Sequence, residues 1–233
     1  MTKFTKPIVI DAPEKDVVFD GIDFTELAQI VVNKVKSLTI KNCRIYGITG
    51  SSSNKYWLRV NGDIPMKFIL ERNFFGDNTG IYNLIEPNAK FEVGTSVSNN
   101  YFKKDCCTHN VFSIYNAADN TVIEINKNYF EYCNGGVRIG IKGDVPSTIN
   151  LSGNIIKEGD KNYPEYDGLV CIQPYGKKTT SFANCTINMK GNKVPTSQIV
   201  YAYSGANDTE MTRENVPVVY LNGEKVEDYP ILH

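Results

Sequence analysis

Histidine, tryptophan and excess charge are nearly missing from this chain, and each shortage closes off a class of function. Its 233 residues hold two histidines and one tryptophan, and 25 basic against 26 acidic side chains leave a formal net charge of −1. A nucleic-acid partner requires a basic stripe to meet phosphate, so near-neutrality argues against one. Apolar runs never reach the roughly 18 residues of a membrane-spanning helix, which excludes membrane insertion by that route. The opening Met1-Thr2-Lys3-Phe4-Thr5-Lys6-Pro7 lacks the apolar core of a secretory signal, so cytoplasmic synthesis without a signal peptide is expected. No window holds a sustained apolar period of about 3.6 residues, which leaves no candidate helix.

Cysteines occur at positions 43, 106, 107, 133, 171 and 185, with no C-x-x-C pair and no histidine at ligand spacing. They are expected as buried free thiols of a reducing compartment, with no metal and no cofactor. Asn150-Leu151-Ser152, Asn184-Cys185-Thr186 and Asn207-Asp208-Thr209 match the glycosylation sequon, a chance match in an unsecreted chain.

What the chain has in quantity is repetition. The phrase apolar-x-apolar-x-x-Asn-x-apolar returns seven times, as Val17/Phe19/Ile22/Phe24, Leu38/Ile40/Cys43/Ile45, Phe68/Leu70/Asn73/Phe75, Thr95/Val97/Asn100/Phe102, Ile123/Ile125/Asn128/Phe130, Ile149/Leu151/Asn154/Ile156 and Ile187/Met189/Asn192/Val194. Its sixth position advances by 21, 30, 27, 28, 26 and 38 residues, a loose period of stacked repeats. The period-2 pair reads as a strand with one buried face, x-x-Asn as a corner, and the last apolar residue as the start of a second strand. Asparagine tolerates left-handed backbone angles, and its amide both donates and accepts, so Asn73, Asn100, Asn128, Asn154 and Asn192 are expected to stack as an internal ladder. Ile22 and Cys43 replace asparagine in the first two repeats, so the ladder should begin at the third, beyond a dry corner.

Between the phrases run further extended stretches, including residues 56–60, 80–85, 110–115, 136–141, 168–172 and 199–203. A repeat this short leaves no room for a crossover helix after each strand, and parallel stacking of like turns about 4.8 Å apart is the remaining solution. Residues 1–16 read as an N-terminal cap, 17–205 as the repeat body and 206–233 as a C-terminal hairpin and tail, with Asn222-Gly223 as the hairpin turn. Residues 161–168, in the widest gap between repeats, read as a protruding loop.

The spaced apolar pairs, the asparagine corner and the glycine-led second strand resemble the right-handed parallel β-helix of the pectate-lyase-like superfamily, over residues 17 to about 203. The resemblance implies an all-β fold: a single-stranded right-handed parallel β-helix of about seven coils with an N-terminal cap and C-terminal hairpin. It does not choose an activity, because that superfamily spans lyases, hydrolases, adhesins and phage tail and capsid-associated proteins.

Three side-chain sets are candidates for function. Asp77, Asp105, Glu131, Glu158 and Asp160 follow their corners by a few residues and should project from one edge, where adjacent carboxylates would suit glycosidase chemistry. Arg138 or Lys142 would serve as the base of a lyase, although Arg138 reads more simply as a solvated outward residue. Phe74, Tyr101 and Tyr129 each follow a ladder asparagine and should form an outward row able to stack sugars or another protein.

Several second strands are apolar at alternate positions too, so one flank must be covered, either by the chain's own loop and termini or by other subunits, such as a homotrimer. Two readings result. One is a noncatalytic virion structural protein, in capsid decoration or a tail or fibre, docking on other virion proteins and holding cell-surface polysaccharide. The other is a polysaccharide lyase or glycoside hydrolase, a depolymerase using Asp77, Asp105, Glu158 and Arg138.

Overall fold

In the computed structural model, residues 2–51, 55–131, 137–142, 145–159, 168–173, 182–195, 199–203 and 211–232 are described, with backbone alone for Asp63, Pro87 and Val137. The regular elements among them are all β-strands, and nearly all of their pairings are parallel. A seven-stranded sheet runs through Thr2–Phe4, Ile22–Glu26, Arg44–Ile48, Phe74–Gly76, Tyr101–Phe102, Tyr129–Phe130 and Ile155–Ile156. We call it the corner sheet, because each of these strands except the first follows the corner of a repeat. A sixteen-stranded sheet carries two further rows, joined through the long bent strands Ile8–Asp20, Ile30–Lys41 and Tyr56–Glu71.

Register follows the repeat. Leu38 and Ile40 lie beside Phe68 and Leu70, Leu70 beside Val97, and Ile123 and Ile125 beside Ile149 and Leu151, which meet Ile187 and Met189. All are buried, each apolar side chain contributing about 1.5–3 kcal/mol. Thr95 stands at an inward position without cost, because its hydroxyl accepts from Phe68 N (3.3 Å) and donates to the Glu92 carbonyl (2.8 Å). Inside the corner sheet Phe75, Phe102 and Phe130 stack with centroids 4.8 and 4.9 Å apart.

The corners divide between two residues the duties expected of one asparagine. Left-handed backbone falls one position before the ladder residue, at Gly21, Asn42, Arg72, Asn99, Lys127, Gly153 and Gly191, with φ between 53° and 64°. The ladder asparagines supply side chains instead. The Oδ1 of Asn100 accepts from both N and Nδ2 of Asn73 at 3.0 Å, and the same pair of bonds recurs from Asn100 to Asn128, Asn128 to Asn154 and Asn154 to Asn192. Each Nδ2 also donates to a carbonyl of the preceding repeat, at Ile40, Leu70, Val97, Ile125 and Leu151. Cys43 is not a dry corner: its N–H donates to Asn73 Oδ1 (2.9 Å), its sulfur accepts from Ile22 N (3.4 Å), and its thiol donates to the Lys41 carbonyl (3.1 Å). The thiol carries the ladder one repeat further than expected.

Both ends join the sheets. Thr2–Phe4 pairs with Ile22–Glu26, and Ile8–Asp20 with Ile30–Lys41, so the segment expected as an entry strand and cap carries strands of both sheets. Ile30–Val32, outside the stretches expected as strands, pairs with Leu58–Val60. Val218–Leu221 pairs in parallel with Thr186–Lys190, repeating the apolar pair once more at Val219 and Leu221, and then turns through Asn222 and Gly223 into the antiparallel Glu224–Lys225.

Replacing Asn100 by Ala strips partners from Asn73 N, the Leu70 carbonyl and Asn128 Oδ1, and should lower stability by about 3–5 kcal/mol in urea denaturation. Lys127→Gly relieves a left-handed side-chain clash and should raise stability by about 1 kcal/mol. A neutral Asn100→Ala would show the amides to be dispensable.

Candidate contact face and buried polar cluster

The outward side of the corner sheet carries Asp23, Arg44, Phe74, Tyr101, Tyr129 and Ile155 on successive strands in register. Because the register is parallel, like rings meet face to face: Phe74 and Tyr101 have centroids 5.7 Å apart at 16°, and Tyr101 and Tyr129 5.1 Å apart at 14°. Two strand positions on, Tyr46 lies beside Gly76. Arg44 leans away from the ring row, pairing with Asp23 at 3.3 Å and lying over the Tyr46 ring at 4.7 Å. Between Arg44, Tyr46, Phe74 and Asp77 the surface is hollowed by about 320 Å3.

The edge carboxylates assemble only in part. Asp77, Asp105 and Glu131 surround Lys103, whose ammonium hydrogen-bonds Asp77 Oδ1 at 2.5 Å and is held above the ordinary lysine range, first by that bond and then by the charges of all three. Glu131 accepts from the Tyr101 hydroxyl at 2.7 Å and from Lys104 N at 3.1 Å, and both bonds hold its carboxyl below the usual range. The same bond pushes the Tyr101 phenol up to about 12. The Glu158 side chain is exposed, its N–H bonded to the Glu131 carbonyl. Asp160, Cys133 and residues 161–167 of the loop expected over 161–168 lie outside the described residues, and Gly168 opens the strand Gly168–Ile172.

Arg138 is not a solvated outward residue. Its strand neighbours Val137 and Ile139 pair with Gly168 and Val170, which sets Arg138 level with Leu169, and its side chain is fully buried. The guanidinium donates to the carbonyls of Glu158 at 3.2 Å and Gly168 at 3.5 Å, bracing two successive repeats. A buried cation bonded to main chain is a structural tie.

Glu86, Ser113, Gly140, Cys171 and Tyr201 alternate with the inward Ile85, Phe112, Ile139, Val170 and Val200, yet they are buried within the single chain. The apolar flank noted in the sequence is thus covered without a second subunit. Under the cover lies a polar cluster that spacing did not reveal. Glu86, 7% exposed, accepts hydrogen bonds from Asn83 Nδ2 and the Tyr115 hydroxyl. Lys142, 6% exposed, is held below the ordinary amine range by burial, against the opposing pull of the Glu86 charge. Burial pushes the Cys171 thiol up to about 12. At the rim His109 stacks on Tyr82 with centroids 4.5 Å apart, and burial followed by the Lys142 charge lowers its pKa to about 4. Signals for this cluster existed only as scattered single residues.

Among the described residues, no group of three or more His, Cys, Asp or Glu side chains could hold a metal ion, and no helix is long and apolar enough to cross a membrane. Cys43, Cys106, Cys107, Cys171 and Cys185 are buried thiols. Comparison with protein-family models, with curated proteins and with solved structures gives no match in any of the three.

The depressed pKa of His109 gives a signed prediction. The unfolded chain takes up this proton near 6.5 and the folded chain near 4, so the contribution is intact above 6.5 and is lost as pH falls through that window. Thermal melts should show His109→Gln losing less stability than the unaltered protein between pH 6.5 and 4.5. Parallel curves would place the imidazole in solvent.

Proposed function

We propose that the chain is a right-handed parallel β-helix acting as a noncatalytic structural component of a virion, in capsid decoration or a tail or fibre, that docks on other virion proteins and holds cell-surface glycan on its corner sheet. The observation that carries the contact role is the Phe74–Tyr101–Tyr129 stack, rimmed by Arg44, Asp77, Lys103 and Glu131 and fixed on a hydrogen-bonded sheet. Aromatic surface flanked by paired charges suits sugars, whose rings present apolar C–H faces and hydroxyl edges. The handedness and the virion setting come from the resemblance of the repeats.

The arrangement of the carboxylates supports a noncatalytic role. A glycosidase needs one carboxyl kept protonated as general acid. Glu131 is instead held ionised by Tyr101 and the Lys104 N–H, and Asp77 is bound to Lys103. Lyase or hydrolase chemistry is the second reading, and the observation that favours it is the buried set of Glu86, Tyr115 and Lys142, where an amine below its usual range could act as a base.

A panel of neutral and acidic polysaccharides separates the two. Binding without new reducing ends or unsaturated products is expected from the first, and turnover abolished by Lys142→Ala would establish the second.

A further inference from the structure

We infer that the glycan is engaged at one end of the aromatic stack, by a neutral hexopyranose lying on the outer face of Phe74 in the hollow between Arg44, Tyr46 and Asp77. This rests on the glycan reading above and narrows it to one position and one class of sugar.

The argument begins with what stacking does to a ring. A sugar packs its C–H face on the flat of an aromatic side chain, where the negative potential lies, and not on its rim. Tyr101 has Phe74 on one side and Tyr129 on the other, at 5.7 and 5.1 Å, so both of its faces are taken and solvent meets mainly its edge and hydroxyl. That hydroxyl is itself bound to Glu131. Outer faces remain only at the two ends of the row. Beyond Tyr129 the next strand places Ile155, a half-buried apolar side chain that itself offers a sugar no hydrogen bond. Beyond Phe74 it places Arg44, and Arg44 is drawn off toward Asp23 and the Tyr46 ring.

Gly76 shapes the same place. A β-carbon there would come within 2.9 Å of Lys103 Cδ and 3.1 Å of Phe74 Cζ. Its absence lets the Phe74 ring and the Lys103 stem lie over the strand, and Lys103 in turn holds Asp77 at the wall. The hollow of about 320 Å3 falls at the small end of ligand sites, which run from about 300 to 1,000 Å3.

Charge selects the sugar. Arg44 is matched by Asp23 and Asp77 by Lys103, so the hollow has donors and acceptors without a net charge. A hydroxyl can donate to the Asp77 carboxylate and accept from the Arg44 fork. A uronate or sulfate would meet the Asp77 carboxylate in the same hollow, with the Arg44 charge already matched by Asp23.

The test is titration of the full chain with neutral and with uronic-acid or sulfated oligosaccharides, by calorimetry and by chemical-shift mapping. Neutral oligosaccharides should bind, Phe74→Ala should weaken them about tenfold, and Tyr129→Ala should leave affinity within about twofold. Arg44→Met, which leaves the ring stack in place, should also weaken binding severalfold and covers the case in which Phe74→Ala misfolds. Equal loss from Tyr129→Ala, or preference for the acidic oligosaccharides, would overturn the inference while leaving glycan binding standing. If the unaltered protein binds no oligosaccharide, the broader reading falls and this inference with it.

Discussion

Parallel pairing in register at a single spacing is the constraint on which the rest of this protein depends. Once each strand lies beside its counterpart in the next repeat, every side chain must be compatible with a copy of its own position about 4.8 Å away. Apolar groups satisfy that by packing and flat rings by stacking, but polar groups inside can satisfy it only if they donate and accept together. Asparagine is the short side chain that does so, and its amide here also draws in a main-chain N–H at each corner. Cysteine fills the place in the second repeat because a thiol, though weak, has both capacities.

The parts of the fold that could be read from the sequence were those in which chemistry and position repeat together. Apolar pairs at period 2 and asparagine three residues later mark the inward faces and the corners because the same local need recurs at Leu70 and Asn73, Val97 and Asn100, Ile125 and Asn128. The left-handed position was only partly legible: Gly21, Asn42, Asn99, Gly153 and Gly191 are the residue types that favour it, but Arg72 and Lys127 are not, and the preference was assigned to the neighbouring ladder asparagine instead. At Arg72 and Lys127 the hydrogen bonds on either side hold that backbone geometry against the side chain's preference. Ile30–Val32 was passed over because neither glycine nor asparagine introduces it, and its partner Leu58–Val60 is separated from it by a whole repeat.

The candidate sites divide along the same line. The outer ring row was legible because Phe74, Tyr101 and Tyr129 each sit one residue past a ladder asparagine. Arg138 was misread because a lone arginine in an extended stretch looks wet, and what buries it are carbonyls from Glu158 and Gly168 further along the chain. The cluster of Glu86, Tyr115, Lys142 and Cys171 left no pattern at all. Glu86 and Cys171 share one register position and Tyr115 and Lys142 the position two residues on, but the residue type changes from one repeat to the next, so no recurring motif marks them.

The strand Glu224–Lys225 runs against the sense of its neighbour Val218–Leu221. At that margin the row of parallel strands meets a strand of opposite polarity, whose outer edge presents a different alternation of N–H and C=O groups. A strand arriving there with the direction of the parallel row could add only in antiparallel pairing, outside the register the repeats use, and the lysine and glutamate side chains add a hydrated fringe. Continuing this row by one more parallel strand in the register of the repeats is therefore not open at that edge.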